Sequence, residues 1–360
     1  MGSDASRHRH PMSDPAPHLL IEERLAWLDA ELDAILRGRP AVQRLYDFAR
    51  YHLGWLDESL RPVSPEQRRR FGGKRLRGVL CFLAGEAVGG VPERLAPAAA
   101  AIELIHNFSL VHDDIEDGDA ERRHRPTVWK LWGIPHAINC GSHLQAMVNV
   151  ATLRLAERDV PPATVVAVLR TITDAIVRMT EGQHLDMAAQ DGESASLAEY
   201  FEMTAGKTGA LIEAALRVGA IVGGAAPDRI EALGRFGLAF GIAFQARDDF
   251  LGIWGEPEVT GKPVGSDIER GKRSLPIVYA LATLAAGSPE GERLRSALRA
   301  RDVPAVLTLL ERIGGRSFVD SIVAARTEEA LAALATADLS DNPCGRAIAA
   351  IAREALARTH

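Results

Sequence analysis

Two clusters of aspartates are the residues in this sequence that could do chemistry together. Asp113, Asp114 and Asp117 follow an apolar segment in the pattern D-D-x-x-D, and Asp248 and Asp249 follow a second apolar segment. Residues four apart lie on one face of a helix, so Asp113 and Asp117 can point into one cavity. Like charges placed in this way repel unless a cation binds, and Mg²⁺ prefers such oxygen ligands. A single D-D-x-x-D favours a solvated helix end, but the two clusters together predict carboxylates that hold Mg²⁺ around a diphosphate.

Several basic residues could complete such a site. Guanidinium groups match phosphate oxygens in a bidentate fashion, and ammonium groups add point charge. Each of these residues taken alone favours a surface charge, but together with two aspartate clusters they predict the cationic side of a diphosphate site. The candidates are Lys74, Arg75, Arg77, Arg122, Arg123, Lys207, Lys262 and Lys272.

The elements that must position these residues are predicted to be helices. Of the 360 residues 47% are hydrophobic but only 5% are aromatic, and Ala, Leu, Arg and Glu dominate the long segments, which favours helix over strand. Segments free of breaking Pro and Gly clusters predict helices over 98–114, 163–187 and 229–251, whereas 254–272 predicts an ordered loop. We therefore expect one large all-α domain over residues 19–360 after a disordered tail over residues 1–18.

Composition also excludes some classes of protein. The net charge of −6 argues against a general nucleic-acid binder, because such proteins present a basic surface to phosphates. Cys81, Cys140 and Cys344 are few and far apart, which predicts neither a disulfide framework nor a zinc site and fits a reducing cytoplasm. The first residues lack the apolar core of a signal peptide, and apolar runs fall short of the roughly 20 residues that span a bilayer. We expect a soluble cytoplasmic protein.

Over residues 72–276 the sequence resembles the trans-prenyl diphosphate synthase family. Six pieces match in the family's order and spacing, and although one piece alone is weak evidence, six are strong. The pieces are residues 73–77; 106–117 with Arg122 and Arg123; Gly182, Gln183 and Asp186; 207–209; Phe244, Gln245, Asp248 and Asp249; and 261–272 with Leu275 and Pro276. The resemblance implies the isoprenoid synthase fold, in which one helical bundle surrounds a central substrate cavity, and it implies a homodimer.

The resemblance also implies a role for each candidate residue. Three Mg²⁺ ions would be held under an allylic diphosphate by Asp113, Asp117 and Asp248, and Asp114 and Asp249 would be further catalytic carboxylates. The same diphosphate would be bound by Arg122, Lys207, Lys262 and Lys272. Isopentenyl diphosphate would be bound by Lys74, Arg77, His106 and Arg123. Gln245 and Thr208 would line the site near the developing cation.

The reaction implied by the resemblance joins two isoprenoid diphosphates. A diphosphate leaves readily when its developing charge is neutralised by metals and by Arg and Lys in a dry cavity. The double bond of isopentenyl diphosphate then attacks the allylic cation, and a proton is lost to the released diphosphate. Chain growth repeats until the tail reaches the cavity floor.

The floor of the cavity is predicted to lie one helical turn or more before Asp113, since the apolar tail should run along that helix away from the metals. Phe108 and Ser109 stand five and four positions upstream. In resembling enzymes a bulky residue followed by a small one, with no insertion in D-D-x-x-D, goes with a C20 product, so geranylgeranyl diphosphate is the expected product. The alternative is that Phe108 belongs to the ordinary helix core.

One position departs from the family pattern. The second cluster of the family reads D-D-x-x-D, whereas Gly252 stands where the third aspartate would be. We expect catalysis to survive with weaker metal affinity.

Two other functions stay open. One is a class I terpene cyclase, which would have no use for Lys74, Arg77 and His106. The other is a non-catalytic partner subunit, which would be expected to have lost more of the catalytic residues than one carboxylate.

Overall fold

The computed structural model describes residues 17–192, 196–257 and 263–357, and within these ranges the chain is almost entirely helical. The α-helices in chain order are α1 (Pro17–Ile35), α2 (Gln43–His52), α3 (Pro65–Gly72), α4 (Leu76–Ala87), α5 (Pro92–Glu116), α6 (Val128–Trp132), α7 (Ile134–Leu153), α8 (Pro162–Asp191), α9 (Leu197–Thr204), α10 (Ala210–Val222), α11 (Pro227–Trp254), α12 (Ser266–Arg270), α13 (Leu275–Thr283), α14 (Pro289–Ala300), α15 (Val303–Arg312), α16 (Gly315–Thr336) and α17 (Pro343–Leu356). The all-α prediction is confirmed.

Five short elements lie between the α-helices of the described chain. One turn of 3-10 helix covers Pro40–Val42 and another covers Ala156–Arg158, while Ala205–Gly209 forms a π-helical turn between α9 and α10. Strands β1 (Glu121–Arg122) and β2 (Arg125–Pro126) pair antiparallel as a small hairpin. Both the hairpin and the π turn carry residues that the sequence analysis assigns to the site.

The three long helices expected from the sequence are present and extend beyond the predicted bounds. Each begins with proline, at Pro92, Pro162 and Pro227. Proline is well suited to the first turn, because its fixed φ matches the helix and its missing N–H has no partner there in any case. The prediction of a loop over 254–272 was only partly right. Gly265 and Gly271, with φ of 77° and 74°, bound the short helix α12 within that segment.

The core is divided into two hydrophobic clusters that share the helices α4 and α10. One cluster packs α1, α2, α5, α7 and α8 around Phe82 of α4. The other packs α11 and the helices from α13 to α17 around Phe236 and Phe240. All three phenylalanines are fully buried, and burial of each contributes about 1.5–3 kcal/mol. The two helices that carry the aspartate clusters, α5 and α11, are thereby fixed in the two halves of the bundle.

Most of the predicted N-terminal tail lies outside the described residues, whereas the prediction that no segment spans a membrane can be compared with the described helices. Residues 1–16 lie outside the described residues, and helix α1 begins at Pro17. None of the helices within the described ranges combines the length and the apolar character that crossing a bilayer requires.

Candidate active site

Asp113 and Asp117 of the first cluster and Asp248 and Asp249 of the second cluster line one cavity of about 490 Å³. Asp113 lies in the last turn of α5 and Asp117 caps the end of that helix, while Asp248 and Asp249 lie near the end of α11. Carboxylates at a helix C-terminus are unfavourable because the helix dipole places negative charge there. The sequence therefore concentrates acidic groups at two helix ends where only a cationic ligand would make them favourable.

The raised pKa of the Asp113 carboxyl shows most clearly that negative charge is unfavourable at this helix end. Burial is the main reason that its pKa is raised to about 6; the charge of Lys207 opposes this rise and the charge of Asp117 adds to it. Its neighbour Asp114 is buried and does not line the cavity. Asp114 instead accepts a hydrogen bond of 2.6 Å from Arg122, and burial raises its pKa to about 6 despite that partner. Asp113 thus faces the ligand space, and Asp114 anchors an arginine.

The two aspartates of the second cluster have different surroundings. Asp248 is exposed to the cavity, whereas Asp249 is buried and held by three donors. The Tyr200 hydroxyl donates to Asp249 over 2.6 Å, the Leu275 backbone N–H over 2.7 Å, and Gln245 Nε2 over 2.9 Å. Burial raises the pKa of Asp249 to about 7, with a further contribution from the nearby charge of Asp267. Asp248 is therefore the carboxylate of this cluster that can meet a ligand directly.

The position of the absent third carboxylate is filled by a residue from another element. A Cβ atom added to Gly252 would lie 2.1 and 2.9 Å from the two carboxylate oxygens of Asp267 and 2.5 Å from its carboxyl carbon. In an aspartate the oxygens lie roughly 2.4 Å from their own Cβ. The carboxylate of Asp267 therefore takes up almost the space that an aspartate at position 252 would need, which accounts sterically for the glycine.

A second group of basic residues also lines the cavity. Arg77, His106 and Arg123 line the cavity together, and Arg77 Nη1 lies 3.4 Å from His106 Nε2. Burial lowers the pKa of Arg77, lowers the pKa of Arg123 to about 10 and holds His106 neutral, and the neighbouring arginines add to the effect on His106 and Arg123. Arg77 Nε is buried without a hydrogen-bond partner among the described residues. A pair of half-buried guanidinium groups of this kind is suited to an anionic ligand.

Uncommon backbone conformations present these cations. Arg123 and His124 form the turn of the β hairpin with φ of 53° and 59°, a left-handed conformation that costs energy for residues other than glycine. Arg75, with φ of 46°, precedes α4 and pairs with Asp29 over 2.8 Å. Strained residues of this kind concentrate at functional sites, where the surrounding fold stabilises them.

Lys207 approaches the aspartates from the π turn. Gly182 of α8 allows this approach, because a Cβ on Gly182 would lie 2.2 Å from the Lys207 backbone nitrogen. Lys207 Nζ donates to Asp186 over 2.5 Å. Burial acts to lower the pKa of Lys207, but the charges of Asp186 and Asp113 outweigh it and the pKa is raised. Lys207 thus stays charged beside the first aspartate cluster.

A hydrogen-bond chain fixes the amide of Gln245. Thr208 Oγ1 donates to Gln245 Oε1 over 2.8 Å, and Gln245 Nε2 donates to Asp249. Asp249 in turn accepts from the hydroxyl of Tyr200, a residue that is only 3% exposed. The chain therefore presents the carbonyl dipole of Gln245 to the cavity in one orientation.

An apolar part of the same cavity lies before Asp113 on α5. Phe108 and Ser109 line it together with the apolar side chains of Met179, Met203 and Phe244. Phe108 is only 3% exposed and contacts His112 edge-on, with ring centroids 6.1 Å apart. The cavity thus has a charged end at the aspartates and an apolar end at Phe108.

Comparison with known proteins identifies this arrangement. The family model for polyprenyl synthetase matches residues 66–310. The chain belongs to this family. A farnesyl diphosphate synthase of Mycobacterium bovis is 40% identical over 335 residues, covering 91% of this chain and 87% of that one. A geranylgeranyl diphosphate synthase of Mycobacterium tuberculosis is 37% identical, covering 81% of each chain. A polyprenyl synthetase structure from Streptomyces coelicolor A3(2) is 35% identical with a TM-score of 0.83, covering 95% of this chain and 100% of that one.

Membership confirms the family resemblance and the isoprenoid synthase fold, and it makes the chain a prenyltransferase. Most of the residues that the sequence analysis assigns to the site line the cavity between the two aspartate clusters. They are Asp113, Asp117, Asp248, Asp249, Lys207, Gln245, Arg77, His106, Arg122, Arg123, Thr208, Lys272, Phe108 and Ser109. Lys74 is exposed outside the cavity lining, Asp114 is turned away from it, and Lys262 lies outside the described residues.

Three residues of the family member's site were not singled out from the sequence. Tyr200 is 49 positions from Asp249, to which it donates, and no motif connects the two. Asp267 lies in the matched segment 261–272 but received no role. Arg270 forms an ion pair with Asp119 over 3.0 Å and so joins α12 to the chain after α5. These contacts depend on how distant segments pack, which the spacing of residues does not encode.

Proposed function

We propose that the chain is a Mg²⁺-dependent trans-prenyltransferase that condenses an allylic diphosphate with isopentenyl diphosphate. The observation that carries the proposal is the single cavity lined by Asp113 and Asp117 of α5, by Asp248 of α11, and by the cations Arg77 and Arg123. Two separate cationic groups, one beside the aspartates and one beside His106, suit two diphosphates. The apolar end at Phe108 suits a prenyl tail.

The allylic diphosphate would lie between the two aspartate clusters. Asp113, Asp117 and Asp248 supply oxygen donors, which fit Mg²⁺, and Mg²⁺ is usually bound through one or two carboxylates together with substrate phosphates. The raised pKa of Asp113, caused by burial, is a charge imbalance that a divalent cation would offset. Three bound Mg²⁺ ions would neutralise charge on the leaving group. Arg122, Lys207 and Lys272 would bind the same diphosphate, and Lys262 is proposed with them from the sequence.

Isopentenyl diphosphate would occupy the second cationic group. The unpartnered Nε of Arg77 and the lowered pKa values of Arg77 and Arg123, due to burial, support an anion at this position. Neutral His106 would donate through whichever ring nitrogen carries the proton. Lys74 stays a prediction for this group, since its side chain is exposed and outside the cavity lining.

The reaction would form one carbon–carbon bond and break one carbon–oxygen bond. As the allylic C–O bond breaks and diphosphate leaves, the double bond of isopentenyl diphosphate attacks the allylic carbon, and the released diphosphate takes up the proton that is lost. The Gln245 carbonyl, fixed by Thr208, would stabilise positive charge on the allylic carbon. Lys207 and Arg122 would stabilise the negative charge on the departing oxygen.

We propose a C20 product, geranylgeranyl diphosphate. The bulky Phe108 and the small Ser109 line the apolar end of the cavity, which supports a stop for the growing tail at that depth. The names of the two relatives, one a farnesyl and one a geranylgeranyl diphosphate synthase, differ by one isoprene unit. Separation of the products by chain length therefore distinguishes a C15 from a C20 product.

We further propose that the enzyme works as a homodimer in the cytoplasm. Large apolar side chains are exposed on the neighbouring helices α7 and α8, where Ile138 is 50%, Leu153 62%, Val166 49% and Val177 48% exposed. Exposed apolar side chains on adjacent helices support an interaction surface, and a second copy is the partner most common among soluble proteins. The three free cysteines are consistent with a reducing compartment.

Light scattering coupled to gel filtration tests the dimer. We expect the mass of two chains for the wild type and of one chain for Leu153→Glu. Val91→Glu is the matched control, because Val91 is 46% exposed but lies at the start of α5. A wild-type monomer, or a Leu153→Glu variant that stays dimeric, would reject the interface.

Product analysis tests the activity. The purified chain is incubated with Mg²⁺, labelled isopentenyl diphosphate and a C5, C10 or C15 allylic diphosphate, and the products are separated by chain length. We expect label in a C20 product and none when the metal is chelated. A hydrocarbon formed from an allylic diphosphate alone would indicate a cyclase, and a chain that is inert alone but active with a second protein would indicate a partner subunit.

A further inference from the structure

A second cavity, which adjoins the active-site cavity at Arg270 and Arg273, lies beside helices α12 and α14 and has a volume of about 360 Å³. Five arginines line it: Arg270, Arg273, Arg295, Arg299 and Arg301. Its remaining described lining includes no aspartate or glutamate, and only Leu281 and Leu298 are apolar side chains. We call this cavity the arginine pocket.

Three arginines of the arginine pocket, Arg295, Arg299 and Arg301, form no ion pair with another described residue. Arg270 pairs with Asp119 over 3.0 Å, which offsets one charge. Arg273 donates to the backbone carbonyls of Ala189 and Gly192 over 3.3 and 2.7 Å, and Arg301 donates to the carbonyl of Glu269. Backbone carbonyls satisfy N–H groups but carry no net charge. These contacts orient the guanidinium groups of Arg273 and Arg301 around the cavity.

Arg295 provides an independent sign of a ligand. Its Nη1 atom is buried and has no hydrogen-bond partner among the described residues. A Cβ on Gly291, one helical turn earlier in α14, would lie 3.0 Å from this nitrogen, so the absence of a side chain there gives the guanidinium its room. A buried donor without a partner is costly, and like charges held together add to the cost. An anion in the pocket would offset both.

We propose that the arginine pocket binds a polyphosphate anion, of the kind presented by inorganic pyrophosphate or a nucleoside triphosphate. The planar fork of guanidinium matches phosphate oxygens in pairs, and several forks around one space suit an anion with more than one phosphate. The volume of the pocket is in the range of cavities that take small ligands. The largely polar lining favours the phosphate groups of the ligand over a hydrocarbon tail.

The arginine pocket shares two residues with the active-site cavity. Arg270 and Arg273 line both cavities, and Lys272 between them lines only the active site. An anion in the pocket would compete with Asp119 for Arg270 and would thereby draw the segment around Lys272 away from the active-site diphosphate. Occupation of the pocket should therefore slow turnover. This link to turnover rests on the proposed function, whereas the binding of the anion does not.

Calorimetric titration of the full chain with inorganic pyrophosphate, orthophosphate and ATP, in the presence of a metal chelator, tests the binding. The double variant Arg295→Gln/Arg299→Gln removes two guanidinium groups that do not line the active site. The control is Arg293→Gln, which changes an exposed arginine of the same helix that is not in the pocket lining. Thermal unfolding confirms that each variant is folded.

We expect pyrophosphate or ATP to bind to the wild type and to Arg293→Gln, and the double variant to bind the same probe at least tenfold more weakly. The probe that binds more tightly identifies the source of the polyphosphate. Basal prenyl transfer without added polyphosphate should be equal in all three proteins, and added polyphosphate should slow the wild type and the control at lower concentrations than it slows the double variant, whose active site still takes diphosphate. Equal binding by the double variant, or binding of orthophosphate as tight as that of pyrophosphate, would overturn the proposal.

Discussion

The buried hydrogen bond between Tyr200 and Asp249 gives a quantitative test of how the second aspartate cluster is held. The hydroxyl donates over 2.6 Å to a carboxylate that is also held by Leu275 and Gln245. Tyr200→Phe removes one oxygen and leaves two donors. Hydrogen bonds to a charged group contribute about 1.5–3 kcal/mol, and those between neutral groups about 0.5–1.5 kcal/mol. The cost of the substitution should therefore depend on the charge of Asp249.

The direction of the pH dependence follows from the pKa of Asp249. Burial raises this pKa from 3.8 to about 7, so the native state binds the proton more tightly than the unfolded chain does. Ionisation of Asp249 therefore lowers the free energy of unfolding as the pH rises from 3.8 through about 7. Loss of the Tyr200 donor raises the pKa further, and a difference of about 1.4 kcal/mol corresponds to one pKa unit. The destabilisation by Tyr200→Phe should grow as the pH rises.

Denaturant unfolding of the metal-free protein at about pH 5 and about pH 9 measures this effect. We expect Tyr200→Phe to lower the free energy of unfolding by about 0.5–1.5 kcal/mol at the lower pH and by about 1.5–3 kcal/mol at the higher pH. Tyr279→Phe is the matched control, because the Tyr279 hydroxyl donates over 3.2 Å to the neutral carbonyl of Ile313. A cost for Tyr200→Phe that is independent of pH and no larger than that of the control would refute the reasoning.

Three further substitutions test separate parts of the site. Phe108→Ala should lengthen the product, because it removes a large apolar group from the cavity end, and an unchanged chain length on chromatography would reject that role. Gly252→Asp should lower both the melting temperature and the rate, because its Cβ would lie 2.1 Å from an oxygen of Asp267, and a faster enzyme would contradict this explanation. Lys207→Met should lower kcat by about tenfold or more, because Asp186 loses its partner and the leaving group loses a cation, and a wild-type kcat would exclude the role.

Much of the fold could be predicted because its determinants are local. Alanine-rich segments bounded by Pro and Gly predicted the long helices, and the proline at the start of each helix fixes φ without losing a hydrogen bond. The bounds were less certain, and α12 was missed because a five-residue helix between two glycines has too few residues to show a helical period. Local sequence therefore decides where the helices form, and packing decides where they end.

The site was predictable where helical spacing determines geometry. Asp113 and Asp117 line the cavity because they lie four apart near one helix end, as the sequence indicated. Asp114, one position along, faces Arg122 instead, since successive residues of a helix point about a quarter turn apart. The fit of Asp267 beside Gly252 and the bond from Tyr200 to Asp249 could not be predicted, because each joins segments whose approach is set by tertiary packing.

The central claim is that carboxylates at two helix ends act together in one cavity, and the rate of Asp113→Ala tests it most directly. Incorporation of labelled isopentenyl diphosphate is measured for the wild type and the variant over a range of Mg²⁺ concentrations, with thermal unfolding as the check on the fold. Because burial raises the pKa of Asp113 to about 6, removal of the carboxylate should leave the melting temperature unchanged or higher. The account predicts a folded variant without measurable prenyl transfer at any Mg²⁺ concentration. A folded variant with the wild-type rate would contradict it.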